Sequence, residues 1–149
     1  MPLASYPTIE LKKLSWPAVK LSFNAIFHQH PEIKPLNHPL DDYDLIIFGV
    51  PVWANNVAPP MNTVFAENTY EHKNTAVLVT ALEEQDGQHA IKDARYKLVS
   101  RGATMIGEKS IAIKNIDKET IISEALQFGK KLSPLVRLRE REPEEQATS

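Results

Sequence analysis

The chain of 149 residues contains no cysteine. Disulfides, thiolate catalysis and cysteine-ligated metals are therefore excluded. Glycine is also scarce, at five residues, and neither glycine-rich phosphate loop, G-x-x-x-x-G-K-S/T or G-x-G-x-x-G, is present. A G-x-S-x-G turn, which would anchor a Ser–His–Asp site, is absent too, so the sequence points to no catalytic residue.

Long apolar runs and an excess of either charge are missing as well. No run approaches the roughly 18 residues of a membrane-spanning helix, and the first residues lack the charged-then-apolar order of a signal peptide. A cytoplasmic protein that does not bind membranes is the default expectation. The formal net charge of −2 provides no basic surface for nucleic acid. At 42% hydrophobic residues, the composition is that of an ordinary globular domain.

What is present is an alternation of strand-like and helix-like segments, which predicts an α/β fold with a mostly parallel sheet. Four strands are expected, at Ile9, Leu45, Ala76 and Ile111. Four helices are expected, beginning at or capped by Ser15, Pro59, Asp86 and Asp117. A bulge is expected near Gly107. Gly102 is placed to end the third helix in the left-handed conformation, and Pro134 is placed to end the fourth.

Each helix has an apolar face that is expected to be buried. These faces comprise Trp16, Val19, Phe23, Ile26 and Phe27 in the first helix, Met61, Val64 and Phe65 in the second, Ala90, Ile91, Ala94 and Leu98 in the third, and Ile121, Ile122, Ala125, Leu126 and Leu132 in the fourth. Left uncovered, the first face would form the kind of patch that marks an interface, so a homodimer is expected. Residues 134–149 are charged and nearly without apolar groups, which predicts a disordered tail after a domain spanning residues 1–133.

The most informative stretch runs from Asp41 to Phe65, DDYDLIIFGVPVWANNVAPPMNTVF. Its unbroken apolar run predicts a strand covered on both faces, and Pro51, which has no N–H to donate, is expected to stop the ladder. Residues 52–57 have neither strand nor helix period and indicate a loop. Pro59 and Pro60 fit the first turn of a returning helix. In open α/β sheets, ligands bind in the crevice outside the carboxyl ends of the strands.

At these residues the sequence resembles the flavodoxin-like family of FMN-binding proteins. The segment YDLIIFGVPVW, followed by APP, is similar to the third strand of that fold and to its loop for the isoalloxazine ring. The resemblance covers about residues 9–132 and implies a three-layer α/β/α fold. The family's first strand, its Ser/Thr/Gly phosphate loop and its first helix have no counterpart here, which predicts a flavodoxin-like fold truncated at its N-terminus.

The resemblance implies that two loops hold the flavin ring. The first comprises Pro51, Val52, Trp53, Ala54, Asn55 and Asn56. In it, Trp53 would stack on or flank the ring, and the residues after it would supply backbone and amide groups to the ring edge. The alternative for Trp53 is a side chain half-buried under its own loop, which is a common position for tryptophan.

The second loop implied by the resemblance lies within residues 80–87 and matches the family by its order along the chain. Its candidate flavin-binding residues are Thr80, Ala81, Leu82, Glu83 and Gly87. Glu83, Glu84 and Asp86 place carboxylates where relatives often have glycine, while backbone N–H groups remain available for the N3 and O2 side of the ring. Negative charge there disfavours an anionic reduced flavin. The alternative is a solvated acidic loop that caps the next helix.

Three histidines, His28, His30 and His38, raise the question of a metal site. The chain has no cysteine to complete a zinc site, and these histidines fall in a proline-rich loop, where exposure to solvent is the simpler interpretation. No metal site is therefore predicted.

Two functions follow from these observations. The first is an FMN-dependent oxidoreductase or electron carrier, which serves a redox partner protein or reduces a small acceptor such as a quinone, and whose FMN binding is weak or conditional because the phosphate loop is missing. The second is a cofactor-free remnant of the fold that acts as an interaction module or is inactive. A phospho-acceptor receiver domain is excluded because the central strand ends in Gly49, Val50 and Pro51 rather than in an acidic residue.

Overall fold

A computed structural model describes residues 30–139, with side chains through Leu135. After a 3-10 turn at Leu40–Asp42, its elements are β1 (Leu45–Trp53), β2 (Asn56–Val57), α1 (Pro59–Glu67), β3 (Asn74–Ala81), α2 (Glu84–Val99), β4 (Thr104–Ala112) and α3 (Lys118–Arg139). The strand predicted at Ile9, the helix predicted after Ser15 and residues 140–149 lie outside the described residues. In residues 30–139, no helix has the length and apolar character needed to cross a membrane.

The four strands form one sheet in the order β2-β1-β3-β4. β1 pairs with β3 in parallel, β3 pairs with β4 in parallel, and β2 runs antiparallel to the end of β1. The predicted strands at Leu45, Ala76 and Ile111 are therefore confirmed as three parallel neighbours. Because neighbouring parallel strands end at the same edge, the connections that follow β1, β3 and β4 all lie there.

Helices α1 and α2 cover one face of the sheet, and α3 covers the other. The first core joins the sheet residues Ile46, Phe48, Val50, Val77 and Val79 to the helix residues Met61, Val64, Phe65, Ala90, Ile91, Ala94 and Leu98. The second core is smaller and joins Ala76 to Phe128 and Leu132, with Leu45, Leu78 and Ile106 packed against it. Two cores on opposite faces make a three-layer α/β/α architecture.

Local signals placed several elements correctly. Pro59 and Pro60 are the first two residues of α1, and Gly102, with φ of 90°, follows the end of α2. The ladder between β3 and β4 shifts by one residue at Ala76, which pairs with Gly107 and leaves Ile106 as the extra residue of a bulge. All three features are as the sequence predicted.

β1 is covered on one face only in the described part of the chain. Phe48 is 6% exposed, whereas its neighbour Ile47 is 44% exposed, and a Cβ added at Gly49 would have nothing within 4 Å. β3 is buried on both faces along most of its length. The prediction of two covered faces is thus wrong for β1. The reason is that α3 packs over β3 and β4, where Ala76 and Gly107 meet it.

The buried face of α3 is narrower than the sequence predicted. Ile121 and Ala125 are partly buried and Leu132 is fully buried, but Ile122 and Leu126 are 47% and 59% exposed. The prediction is therefore wrong for these two residues. A single helix packed on a sheet buries one stripe of side chains, and here Phe128, at 9% exposure, completes that stripe.

The ends of α3 differ in how well they were predicted. The backbone N–H of Thr120 donates to Asp117 Oδ1 at 2.7 Å, so Asp117 caps the helix as expected. The helix continues through Pro134 to Arg139, and the predicted end at Pro134 is wrong. A proline removes one hydrogen bond of a helix, and here the bonds on either side are sufficient to continue it. The domain boundary at residue 133 stays a prediction.

We expect Asp117→Ala to lower Tm near neutral pH and to have no effect in acid. The hydrogen bond from Thr120 holds the pKa of the Asp117 carboxyl below its usual value. A carboxyl whose folded-state pKa is lowered stabilises the protein above its unfolded pKa, about 3.9, and loses that contribution as the pH falls through the folded pKa. Thermal unfolding of both proteins from about pH 7 to about pH 2 measures this.

The control for this prediction is Asp117→Asn. Its side-chain oxygen still accepts the Thr120 hydrogen bond, so it should retain more stability than the alanine variant and lack the acid-dependent change. A difference in Tm between wild type and Asp117→Ala that stays constant over the pH range would contradict the expectation.

Candidate functional site

The first predicted loop is a tight β-hairpin. Two antiparallel pairs join β1 to β2: Val52 with Val57 and Trp53 with Asn56. Ala54 and Asn55 form the turn with φ of 46° and 64°, and positive φ at both central residues is what a type I′ turn requires. The prediction of an irregular loop over residues 52–57 is therefore wrong. Each hairpin arm is too short to show a strand period in the sequence.

Pro51 does not stop the ladder, contrary to the sequence prediction. It pairs with Thr80 of β3, and its carbonyl oxygen accepts a hydrogen bond from the N–H of Ala58, at 3.1 Å. In a strand, the N–H and C=O of one residue point to the same edge, so the donor that Pro51 lacks would face away from β3. β1 therefore continues to Trp53 without losing a bond to β3.

The hairpin presents one large aromatic side chain and an exposed turn. Trp53 is half-buried, while Ala54 and Asn55 are exposed. The side-chain amide of Asn56 donates to the carbonyl oxygen of Ala54 at 2.9 Å, which braces the turn. The indole and the backbone groups of the turn are thus held in place at the carboxyl end of β1.

The second predicted loop is shorter than expected because α2 begins early. β3 ends at Ala81, and only Leu82 and Glu83 connect it to α2, which starts at Glu84. Glu83 occupies the N-cap position and its side chain makes no capping hydrogen bond. The predicted cap at Asp86 is therefore wrong. Asp86 lies in the first turn instead, where a negative charge is stabilised by the helix dipole.

Strand register places the two connections side by side. Pro51 of β1 lies opposite Thr80 of β3, and Trp53 and Leu82 each follow that pair by two residues. Leu82 is 66% exposed. Because paired strands lie about 4.8 Å apart, the hairpin and the β3–α2 connection lie side by side at this edge of the sheet. The region between them is called here the crevice.

Gly87 lies in the first turn of α2 and faces β4. It is buried, and a Cβ added to it would lie 2.0 Å from Ser110 Oγ and 3.1 Å from Ser110 Cβ. Ser110 Oγ is itself buried and has no hydrogen-bond partner among residues 30–139. The absence of a side chain at Gly87 is therefore what allows the first turn of α2 to lie close to β4.

A lysine that sequence reasoning missed moderates the acidic side of the crevice. Lys114, which follows β4, forms a salt bridge with Glu83, and this contact raises the pKa of Lys114. Both side chains are largely exposed, so the pair adds little to stability, but it lowers the net negative charge beside the crevice. The pairing of β3 with β4, which brings their connections together, is the signal that would have found it.

Other surface features of the described residues lie away from the crevice. One depression of about 380 Å³ is bordered by residues 33–40 and the end of α1, and another of about 400 Å³ lies on the outer side of α2. Within residues 30–139, no three side chains of His, Asp or Glu cluster as metal ligands would. His30 and His38 are both exposed.

The three-layer α/β/α sandwich with a parallel core is the architecture of flavodoxin-like folds. Two solved structures share it. A flavoprotein in complex with FMN from Lactobacillus acidophilus NCFM is 22% identical, with a TM-score of 0.57 over 68% of this chain and 71% of that one. A protein from Bacteroides uniformis ATCC 8492, provisionally classed as a flavoprotein, is 19% identical, with a TM-score of 0.55 over 70% of this chain.

The likeness to these structures is one of fold. The chain spans 64% of the length of the Bacteroides uniformis protein. No family model matches the sequence, and no curated protein matches it either. The chain therefore has a flavodoxin-like fold, and its activity has to be argued from its own crevice.

Proposed function

We propose that the chain is a flavodoxin-like flavoprotein that binds the isoalloxazine ring of FMN in the crevice between the β1–β2 hairpin and the β3–α2 connection. The observation that carries this proposal is the register of Pro51 with Thr80, which sets Trp53 and Leu82 at equivalent positions beyond adjacent strands. Two flavoproteins of the same fold, one in complex with FMN, support a flavin as the ligand.

The residues of the crevice fit a flat ring that is apolar on its faces and polar at its edge. The half-buried Trp53 retains an accessible surface for stacking, and the exposed Leu82 offers an apolar contact on the other side. Ala54 and Asn55 provide exposed backbone groups for the ring edge, since Asn56 uses its amide to brace the turn. Aromatic stacking contributes about 0.5–1.5 kcal/mol beyond area burial.

The chain offers fewer binding groups for the phosphate of FMN than for its ring. The 149 residues contain no Ser/Thr/Gly phosphate loop, and Glu83, Glu84 and Asp86 carry negative charge beside the crevice. Hydrogen bonds to a charged group contribute roughly 1.5–3 kcal/mol each, so lacking three of them removes on the order of 4–9 kcal/mol of binding free energy. FMN binding by this polypeptide is therefore weak or conditional on a further phosphate site.

The chemistry proposed for the protein is redox chemistry. A bound flavin supplies hydride or electron transfer, while the protein binds and orients it. The exposed hairpin turn leaves the ring edge within reach of a redox partner protein or a small acceptor such as a quinone. The candidate residues of this chain act by binding and positioning, and none has a catalytic role of its own.

A second candidate function rests on the uncovered face of β1. Ile47 is 44% exposed, and a Cβ added at Gly49 would meet no atom of residues 30–139 within 4 Å. This face suits a cofactor-free module that binds another polypeptide. A titration with FMN and riboflavin separates the two candidates, because an interaction module would bind neither flavin.

The test is a titration of the full chain with FMN and with riboflavin, followed by quenching of flavin fluorescence. We expect both flavins to bind with dissociation constants within about tenfold of each other, because they differ only in the phosphate. Trp53→Ala should weaken both by about two- to tenfold, as the loss of stacking predicts. Tyr96→Ala, a change to an aromatic residue that is 75% exposed on α2, is the matched control and should change neither.

Three outcomes would count against this proposal. Tight binding of FMN with much weaker binding of riboflavin would reveal a phosphate site outside the two connections. An absence of quenching with either flavin would favour the interaction module. Equal losses with Trp53→Ala and Tyr96→Ala would show that the ring does not bind at the hairpin.

A further inference from the structure

Lys114 follows the carboxyl end of β4, beside the proposed flavin site but outside its two connections. β4 ends at Ala112, which pairs with Ala81 of β3. The N–H of Ile113 donates to the carbonyl oxygen of Ala81 at 2.8 Å, which extends the contact between the two strands by one residue. The residues after β4 therefore lie beside those after β3.

The side chain of Lys114 holds one carboxylate of the β3–α2 connection. Its Nζ donates to Oε1 of Glu83, and the two groups form a salt bridge. The strand order β2-β1-β3-β4 sets β4 and the hairpin on opposite sides of β3. The salt bridge thus ties the charge of Glu83 to the side of the connection that lies away from Trp53.

No other group in residues 30–139 forms an ion pair with Glu83. Glu83 occupies the N-cap position of α2, and its side chain makes no capping hydrogen bond. The side chain is 47% exposed, so without Lys114 it would be free to turn toward the crevice. A carboxylate there would repel a second negative charge.

We propose that Lys114 is a positioning residue, which keeps the Glu83 carboxylate out of the crevice and so allows the site to hold a reduced, anionic flavin ring as well as an oxidised one. This inference rests on the proposed function, and in it Lys114 acts through Glu83 without contacting the ring. The neighbouring Glu84 lies in α2 and accepts a hydrogen bond from Gln88 at 2.7 Å. Glu83 is therefore the one carboxylate that belongs to the connection itself.

The first test compares the binding of oxidised and reduced riboflavin to the full chain, at a pH at which the reduced ring is anionic. Fluorescence quenching gives the first dissociation constant, and the shift of the midpoint potential at saturating protein gives the second. Lys114→Met should raise the ratio of the reduced to the oxidised constant about three- to tenfold. A tenfold rise lowers the two-electron potential by about 30 mV. Added salt should reduce the effect, because both charges are exposed.

Glu83→Gln and the double variant Glu83→Gln/Lys114→Met show whether the lysine acts through the carboxylate. Both should keep the wild-type ratio within about twofold, because neither has a charge at residue 83 that could enter the crevice. An unchanged ratio in Lys114→Met would overturn the proposal. So would an equal effect of Lys114→Met in the wild-type and Glu83→Gln backgrounds, which would show that the lysine acts on the ring directly.

Arg95→Met is the matched control. It also removes a cation from an exposed salt bridge between α2 and β4, the one with Glu108. Glu108 pairs with Val77, three residues before Thr80 on β3, so this salt bridge lies about 10 Å from the crevice edge of the sheet. The variant should leave the ratio unchanged and, like Lys114→Met, have little effect on stability. A change equal to that of Lys114→Met would show a general effect of surface charge and overturn the proposal.

A flavin-free measurement separates the failure of this inference from the failure of the proposed function. Quenching of tryptophan fluorescence by iodide and by caesium ions reports the charge near Trp53. Lys114→Met should lower the iodide constant relative to the caesium constant by about twofold, and the change should be absent when Glu83→Gln or Trp53→Phe is also present. Wild-type protein that binds no flavin would overturn the proposed function, and with it the role of Lys114 in flavin binding. Normal flavin binding with ion quenching unchanged by Lys114→Met would overturn the placement of Glu83 alone.

Discussion

Replacing Phe48 by alanine is expected to lower the free energy of unfolding by about 3–5 kcal/mol, whereas Ile47→Ala should cost about 1 kcal/mol or less. The two residues are neighbours in β1 and point to opposite faces of the sheet. Phe48 is 6% exposed and Ile47 is 44% exposed. The difference between the two variants therefore measures how unequally the faces of β1 are covered.

The large cost at Phe48 follows from the rigidity of its neighbours. Its ring meets the rings of Phe65 and Tyr70 edge-on, with centroids 5.2 Å and 5.7 Å away. Tyr70 is fully buried, and its hydroxyl donates to the carbonyl oxygen of Val64 at 2.7 Å. Burial also raises the pKa of Tyr70, so the hydroxyl stays protonated and keeps donating. Because these groups are fixed, they cannot move to fill the space left by Phe48, and the cavity remains.

Urea-induced unfolding of the full chain at low protein concentration measures both variants. Phe48→Leu, which keeps most of the apolar volume, is the intermediate control and should cost about 1–2 kcal/mol. Equal losses at Ile47 and Phe48 would show that the open face of β1 is covered in solution. A loss below about 1 kcal/mol at Phe48→Ala would contradict the packing of the larger core.

The difference between the two faces of β1 could not be predicted from its sequence. β1 and β3 are both continuous apolar runs, and each fits a strand that is covered on both sides. What separates them is that α3 packs over β3 and β4, with Phe128 and Leu132 against Ala76. That placement is a property of the whole fold. The same fact explains why Ile122 and Leu126 of α3 were expected in the core and are exposed.

Signals that have a local mechanism were more reliable. Gly102 and Asp117 act at one helix end each, through a positive φ and a side-chain hydrogen bond. The predictions for Pro51 and Asp86 were wrong for a different reason. The effect of a proline on a strand depends on which edge of the strand its nitrogen faces, and an acidic residue caps a helix only if the helix begins next to it. Pro51 would have lost a bond only if its N–H faced β3, and Asp86 would have capped α2 only if the helix began later.

The candidate crevice was predictable in part. Parallel neighbouring strands guarantee that the connections after β1 and β3 share one edge, and this is what the structure shows through the register of Pro51 with Thr80. Its details were not predictable. The hairpin that holds Trp53 depends on a turn formed by Ala54, a residue that rarely adopts positive φ. The contribution of Lys114 depends on β4, whose position beside β3 sets the distance to Glu83.

Gly87→Ala is expected to destabilise the protein by about 1–3 kcal/mol, as overpacking of a close contact does. The added Cβ would lie 2.0 Å from Ser110 Oγ. Neither α2 nor β4 can move away freely, because residues of both pack in the hydrophobic core. Gly49→Ala is the matched control. A Cβ there meets nothing within 4 Å among residues 30–139, so this variant should be neutral or more stable by up to about 1 kcal/mol, through the lower entropy of its unfolded chain.

The partner of this contact provides a rescue. Ser110→Ala removes a buried hydroxyl that has no partner within residues 30–139, so alone it should be neutral or slightly stabilising. Combined with Gly87→Ala, it removes the closest clash and leaves only the contact with Cβ at 3.1 Å. Denaturant unfolding of the four proteins should therefore give a coupling energy of at least about 1 kcal/mol. A double variant as unstable as Gly87→Ala alone would contradict the steric explanation.

The rescued double variant also decides what Gly87 contributes to flavin binding. If the glycine serves only to pack α2 on β4, Gly87→Ala/Ser110→Ala should bind riboflavin with the wild-type dissociation constant once its stability is restored. If the first turn of α2 contacts the ring, the double variant should recover stability and still bind riboflavin more weakly. The geometry favours the first result, because Gly87 is buried against Ser110 and Ala81, on the β4 side of the connection and away from Trp53. Weaker binding by a fully stable double variant would place Gly87 in the site after all.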